Sequence, residues 1–115
     1  RYNHEASFVE PSTNVAYHTE DRGNSCFYRF VPDDMSEPFV GKLQALKVVG
    51  QDEFETTDMA TGQIVDVEWV DIDEPTPSSD TVRSEAQSKG AAIFVRGEGL
   101  WIHEWRYSPS MPVLP

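Results

Sequence analysis

Short runs of aromatic and β-branched residues, each closed by a cluster of turn formers, limit the folds open to this chain. The clearest is Cys26-Phe27-Tyr28-Arg29-Phe30-Val31, stopped by Pro32-Asp33-Asp34. Such side chains suit a pleated, half-buried surface, and a proline followed by two aspartates ends it. Strand alternation sets Phe27 and Arg29 on one face and Tyr28 and Phe30 on the other. The second face is the more apolar, so it is the expected core side. The same pattern predicts strands at 6–10 and 15–19, joined as a hairpin through Pro11-Ser12-Thr13-Asn14. Further strands are expected at 43–49, 64–70, 91–95 and 100–107, with 51–62 a polar, acid-rich loop. Only 80–89 has helical character. Ser79 or Asp80 suits its N-terminus and Gly90 the left-handed residue after its end. Its few apolar positions predict a surface helix. The expected fold class is therefore mainly β, with antiparallel strands in a sandwich, a barrel or propeller blades. A single β domain over 1–107 and a proline-rich tail over 108–115 complete the layout.

Charge narrows the partners. The 115 residues carry 9 Lys+Arg against 20 Asp+Glu, a net charge of -11. That field repels phosphate backbones, which argues against nucleic acid, and it attracts hard cations such as calcium. No apolar run approaches the ~20 residues of a membrane span, and Arg1-Tyr2-Asn3-His4-Glu5 does not resemble a signal segment. Cys26 is the single cysteine, so no internal disulfide forms. With no basic neighbour to lower its pKa, it reads as a buried structural thiol rather than a nucleophile. His18 and His103 are too scattered for a zinc pattern, and GxSxG, P-loop and CxxC motifs are absent.

Three segments offer chemistry. In His4-Glu5 neighbouring strand residues face opposite ways, so Glu5 alone is the better metal-ligand candidate; an exposed terminal pair explains the same residues. Thr19-Glu20-Asp21-Arg22 follows a strand, where a sheet can position a site. Its acids could bind calcium, or form an ordinary turn with an ion pair. In Arg96-Gly97-Glu98-Gly99 the arginine and glutamate would share a strand face. The glycines leave room for a ligand or another backbone. A guanidinium fork fits phosphate, and an Arg–Glu pair on a bulged edge strand is the simpler alternative.

In order along the chain, HEASFVEPSTNVAYHTEDRGNSCFYRFVPDD, then GKLQALKV with VEWVDIDEPTP, then GAAIFVRGEGLW resemble the bacterial PhoX-like alkaline phosphatase family. The resemblance covers about the first 100 residues and fades after Trp101. It implies a secreted or periplasmic phosphatase on a β-propeller with an iron and calcium cluster. It implies that Arg96 contacts phosphate as a substrate-binding and catalytic group, that Glu98 and Glu5 bind metal, and that Asp21 is a weaker metal candidate. Family members are several times longer, so the chain would cover about two blades. The family's cysteine iron ligand lies upstream of the matched region, so Cys26 is not its equivalent. The expected function is that of a fragment or truncated relative of a metal-dependent phosphomonoesterase, inactive alone. The alternative is a non-catalytic β module that self-associates through residues such as Phe27, Tyr28, Phe30, Trp69, Trp101 and Trp105.

Overall fold

A computed structural model describes residues 4–76, 81–97 and 99–100. Five strands form one antiparallel sheet in sequential order: β1 (His4–Val9), β2 (Ala16–Glu20), β3 (Tyr28–Pro32), β4 (Gly41–Val48) and β5 (Val67–Asp71). A 3₁₀ turn at Thr56–Asp58 interrupts the long acidic loop, and α1 (Val82–Ser88) follows β5. The fold is mainly β with one short helix, as the residue pattern predicts. A propeller remains an implication of the resemblance, since five strands in one sheet do not make one.

The register decides which side chains meet. Tyr28 pairs with Ala45 and Phe30 with Leu43, so these four share the core face, as alternation in β3 predicts. Tyr28 and Ala45 have no solvent exposure. Helix α1 lies over this half of the sheet. Val82 and Ala86, one turn apart, are both fully buried beside Tyr28, Cys26 and Ile72. The helix lies at the surface, as expected, with Ser84 and Ser88 exposed, and two small apolar residues are enough to anchor it to the core. Glu85 fixes the helix to the chain leaving β5 by accepting the Asp73 and Glu74 N–H groups. Lys89 adds ion pairs to Asp73 at 2.9 Å and Glu85 at 3.1 Å. Gly90 ends the helix at φ +89, the left-handed conformation expected of it.

The opposite face is an aromatic layer. Tyr17 and Phe27 stack with centroids 6.2 Å apart, Trp69 packs 6.1 Å from Phe27, and the Arg29 guanidinium lies 4.3 Å from the Trp69 ring centre. Arg29 Nε donates to Gln44 Oε1 at 2.7 Å, and Gln44 Nε2 donates to Asp71 Oδ1 at 2.7 Å.

Three expectations change. Residues 64–66 do not join β5, and Ile64 is 93% exposed. Residues 91–95 are not a strand. Ile93 and Phe94 make only single bridges, to Glu55 and Ser25, while Ala92 donates to the Leu46 carbonyl at 2.9 Å. Tyr28 is fully buried on the core face expected of it, which removes it from the residues named for the self-association alternative. The strand expected at 100–107 lies outside the described residues apart from Leu100, and the helix cap expected at Ser79 or Asp80 also lies outside them.

Candidate functional site

The segment 94–97 runs back along the turn after β2. Ser25 and Phe94 exchange backbone hydrogen bonds of 2.8 and 2.9 Å. Arg96 N–H donates to the Arg22 carbonyl at 2.7 Å and Gly97 N–H to the Glu20 carbonyl at 2.9 Å. Gly97 has a steric reason to be glycine: a Cβ there would lie 2.7 Å from the Glu20 carbonyl oxygen and 3.1 Å from Glu20 N. The close approach expected at this glycine is thus that of another backbone.

Arg96 itself is not in a strand. Its φ of +56 is unusual for a residue with a side chain. Its Nη1 lies 3.2 Å from Asp21 Oδ1, with the arginine side chain 68% exposed and the aspartate 33%. Two separately chosen candidates, Arg96 and Asp21, are therefore in contact although 75 positions apart in the chain. The partner expected for Arg96 on sequence grounds, Glu98, lies outside the described residues. The shared strand face proposed for the two does not hold on the arginine's side.

Glu5 lies in β1, next to the residue whose Cα pairs with Glu20. Ala6 N–H donates to Thr19 Oγ1 at 3.1 Å. Antiparallel pairing thus brings the start of β1 and the end of β2 to one end of the sheet, with the exposed Glu5 and the half-buried Asp21 both there. Among the described residues, no group of three or more His, Cys, Asp or Glu side chains is placed to hold a metal ion.

Beneath Asp21 is Glu20, with no solvent exposure. Its Oε1 accepts the Cys26 N–H at 3.1 Å and faces the Tyr28 hydroxyl at 3.5 Å. Its Oε2 lies 3.6 Å from Nη1 of Arg83, on α1. Gln87, one turn further along, donates to the Asn24 carbonyl at 2.6 Å. The helix thus holds the 20–25 turn from below, while segment 94–97 holds it from the side. Sequence reading weighed Glu20 as a calcium ligand beside Asp21 and did not single out Arg83. The signal was in the alternation of β2: Ala16, His18 and Glu20 share the face that pairing sets beside Phe30 and Tyr28. Arg83 pairs with Glu20, and Arg96 with Asp21.

Cys26 is 1% exposed, and burial pushes its thiol up to about 11, with the Glu20 carboxylate acting in the same direction. This is the inert, structural thiol expected.

No curated protein and no solved structure matches the chain. A family model does, over residues 1–108: that of alkaline phosphatase PhoX. The match takes in β1, the 20–25 turn, α1 and the Arg96 segment together, and the chain belongs to the alkaline phosphatase PhoX family.

Proposed function

We propose that this chain supplies part of the phosphate-binding and metal-binding surface of a phosphomonoesterase, and that alone it turns over no substrate. Family membership supports a phosphate ester as the substrate class. The family depends in general on calcium and iron, and its members are typically exported. A periplasmic or secreted location is our extension of that to this chain.

The observation that carries the proposal is the exposed Arg96 guanidinium beside Asp21 at the end of the sheet. A guanidinium has five N–H donors, so contact with one carboxylate oxygen leaves donors for a phosphate. Held by two backbone hydrogen bonds at residues 96 and 97, it would clamp a non-bridging phosphoryl oxygen and offset charge as the ester bond breaks. Calcium takes about six to eight oxygen ligands. Glu5 and Asp21 offer hard oxygens, and Glu98 is proposed as a third donor. The described residues alone do not make a calcium or iron centre, so the step this chain's own residues support is phosphate binding.

Calorimetric titration with inorganic phosphate tests this. The parent chain should bind weakly, Arg96→Ala should lose about tenfold or more, and Arg96→Lys should fall between them because it keeps charge without the fork. Equal affinity in the parent and Arg96→Ala would remove Arg96 from the proposal. Turnover of a phosphate ester with iron and calcium present, abolished by Arg96→Ala, would overturn the claim of inactivity.

A further inference from the structure

Helix α1 covers only part of the core face. Beyond it, Val9, Ala16, Phe30 and Leu43 floor a groove of about 710 Å³, walled by Phe39 and Pro75. Phe39 is 93% exposed and Val9 48%. Large apolar side chains presented this way around a concavity mark an interaction surface more often than a solvated one.

No carboxylate lines the groove itself, but the two loops that border one end of it are acidic. Asn14 lines the groove, and its Nδ2 donates to the Met35 carbonyl at 2.9 Å, tying the β1–β2 turn to the loop that carries Phe39. Between them, residues 10–14 and 33–40 contain Glu10, Asp33, Asp34 and Glu37 and no lysine or arginine. Two of these carboxylates are fixed in place. Glu10 accepts the Ser12 and Thr13 hydroxyls at 2.7 Å, which hold its pKa at about 2, and Asp34 accepts the Ser36 N–H at 3.0 Å. The charge on these two carboxylates therefore stays in one place and persists at ordinary pH. Lys42 lies between the groove residues Gly41 and Leu43, and strand alternation directs it to the other face of the sheet.

We propose that the groove docks an extended polypeptide segment from a partner, with apolar side chains on the Val9–Phe30–Leu43 floor and a lysine or arginine against the acidic end. Charge complementarity selects this occupant. A second copy of the chain would bring another -11 to the same negative surface, and like charge set against like charge opposes association. The proposal is independent of phosphate binding at Arg96, which draws on the opposite charge.

Fluorescence anisotropy with two labelled hexapeptides tests it. One probe is acetyl-LVFLKK-amide and the other replaces both lysines with glutamates. The lysine probe should bind the full chain saturably, more weakly as salt rises, and the glutamate probe should not. Phe39→Ser should weaken the lysine probe about tenfold, and Glu37→Lys should weaken it and flatten its salt dependence. Both positions are exposed, and an unchanged far-ultraviolet spectrum confirms the variants' fold. Equal binding of the two probes, no saturable binding, or an unchanged Phe39→Ser affinity overturns the proposal. Concentration-dependent dimerisation by sedimentation, lost in Phe39→Ser, overturns it in favour of a second copy.

Discussion

A carboxylate without solvent exposure must be compensated inside the protein, and Glu20 is compensated by Arg83 and by the Cys26 N–H. Removing only the cation leaves a buried charge. Arg83→Met should therefore destabilise the fold toward the lower end of about 3–5 kcal/mol, since the 3.6 Å separation is loose. In urea unfolding, Glu20→Gln combined with Arg83→Met should cost less than the two single changes added together. Strict additivity would mean that the pair is not coupled. Cys26 gives a second residue-scale test. Its folded-state pKa is raised by burial from 9.0 to about 11. The neutral thiol is thus favoured by folding below pH 9, and that contribution is lost as pH rises through about 11. At pH 8 the native thiol should resist a disulfide reagent that labels it at once in denaturant. Rapid native labelling would contradict the burial described here.

At the scale of elements, Gly97 is where the 94–97 segment meets the end of β2. Two of the three close contacts of a Cβ there, the tightest included, are backbone atoms of Glu20, which cannot swing aside, and the third is Thr19 Cβ. Gly97→Ala should cost about 1–3 kcal/mol by overpacking and, with phosphate binding measured in parallel, should weaken it by displacing Arg96. A variant of unchanged stability would mean the segment is not docked as described. The β1–β2 hairpin was legible because Pro11-Ser12-Thr13-Asn14 separates two alternating runs, and its antiparallel pairing follows. Strand β3 was legible to its faces because aromatic alternation in FYRF has one solution. Helix α1 was legible as a surface helix but its anchor was not: Val82 and Ala86 are too small to announce a core contact, and their burial depends on Tyr28 and Ile72 meeting them from the sheet. Residues 91–95 failed as a strand for a related reason. Ala91 and Ala92 are apolar because they are packed with no exposure, not because they pair along a ladder. In the site, the types of Arg96 and Asp21 could be read as chemistry, but their contact could not, because it depends on a 75-residue closure.

For the whole molecule, the net charge of -11 sets two ligands against each other. It would draw calcium to the sheet end that carries Glu5 and Asp21, and repel the phosphate that Arg96 is proposed to hold. Arg96 opposes calcium in the absence of an anion, because its guanidinium already engages Asp21. Phosphate bound to Arg96 would draw that charge away from Asp21 and add oxygen donors of its own. Calcium should therefore bind more tightly with phosphate present and, by linkage, phosphate more tightly with calcium present by the same factor. Two or three carboxylates make a weak site, with a Kd on the order of 10⁻⁴–10⁻³ M, and the coupling should be about fivefold or more. Isothermal titration of calcium in matched buffers with and without phosphate measures the factor, and the reverse titration must return it. Asp21→Asn and Glu98→Gln should each weaken calcium binding, and Arg96→Ala should abolish the coupling while leaving calcium binding in phosphate-free buffer intact or stronger. Equal calcium affinity in the two buffers would reduce Arg96 and Asp21 to an ion pair that closes the turn after β2, with no part in holding phosphate or metal.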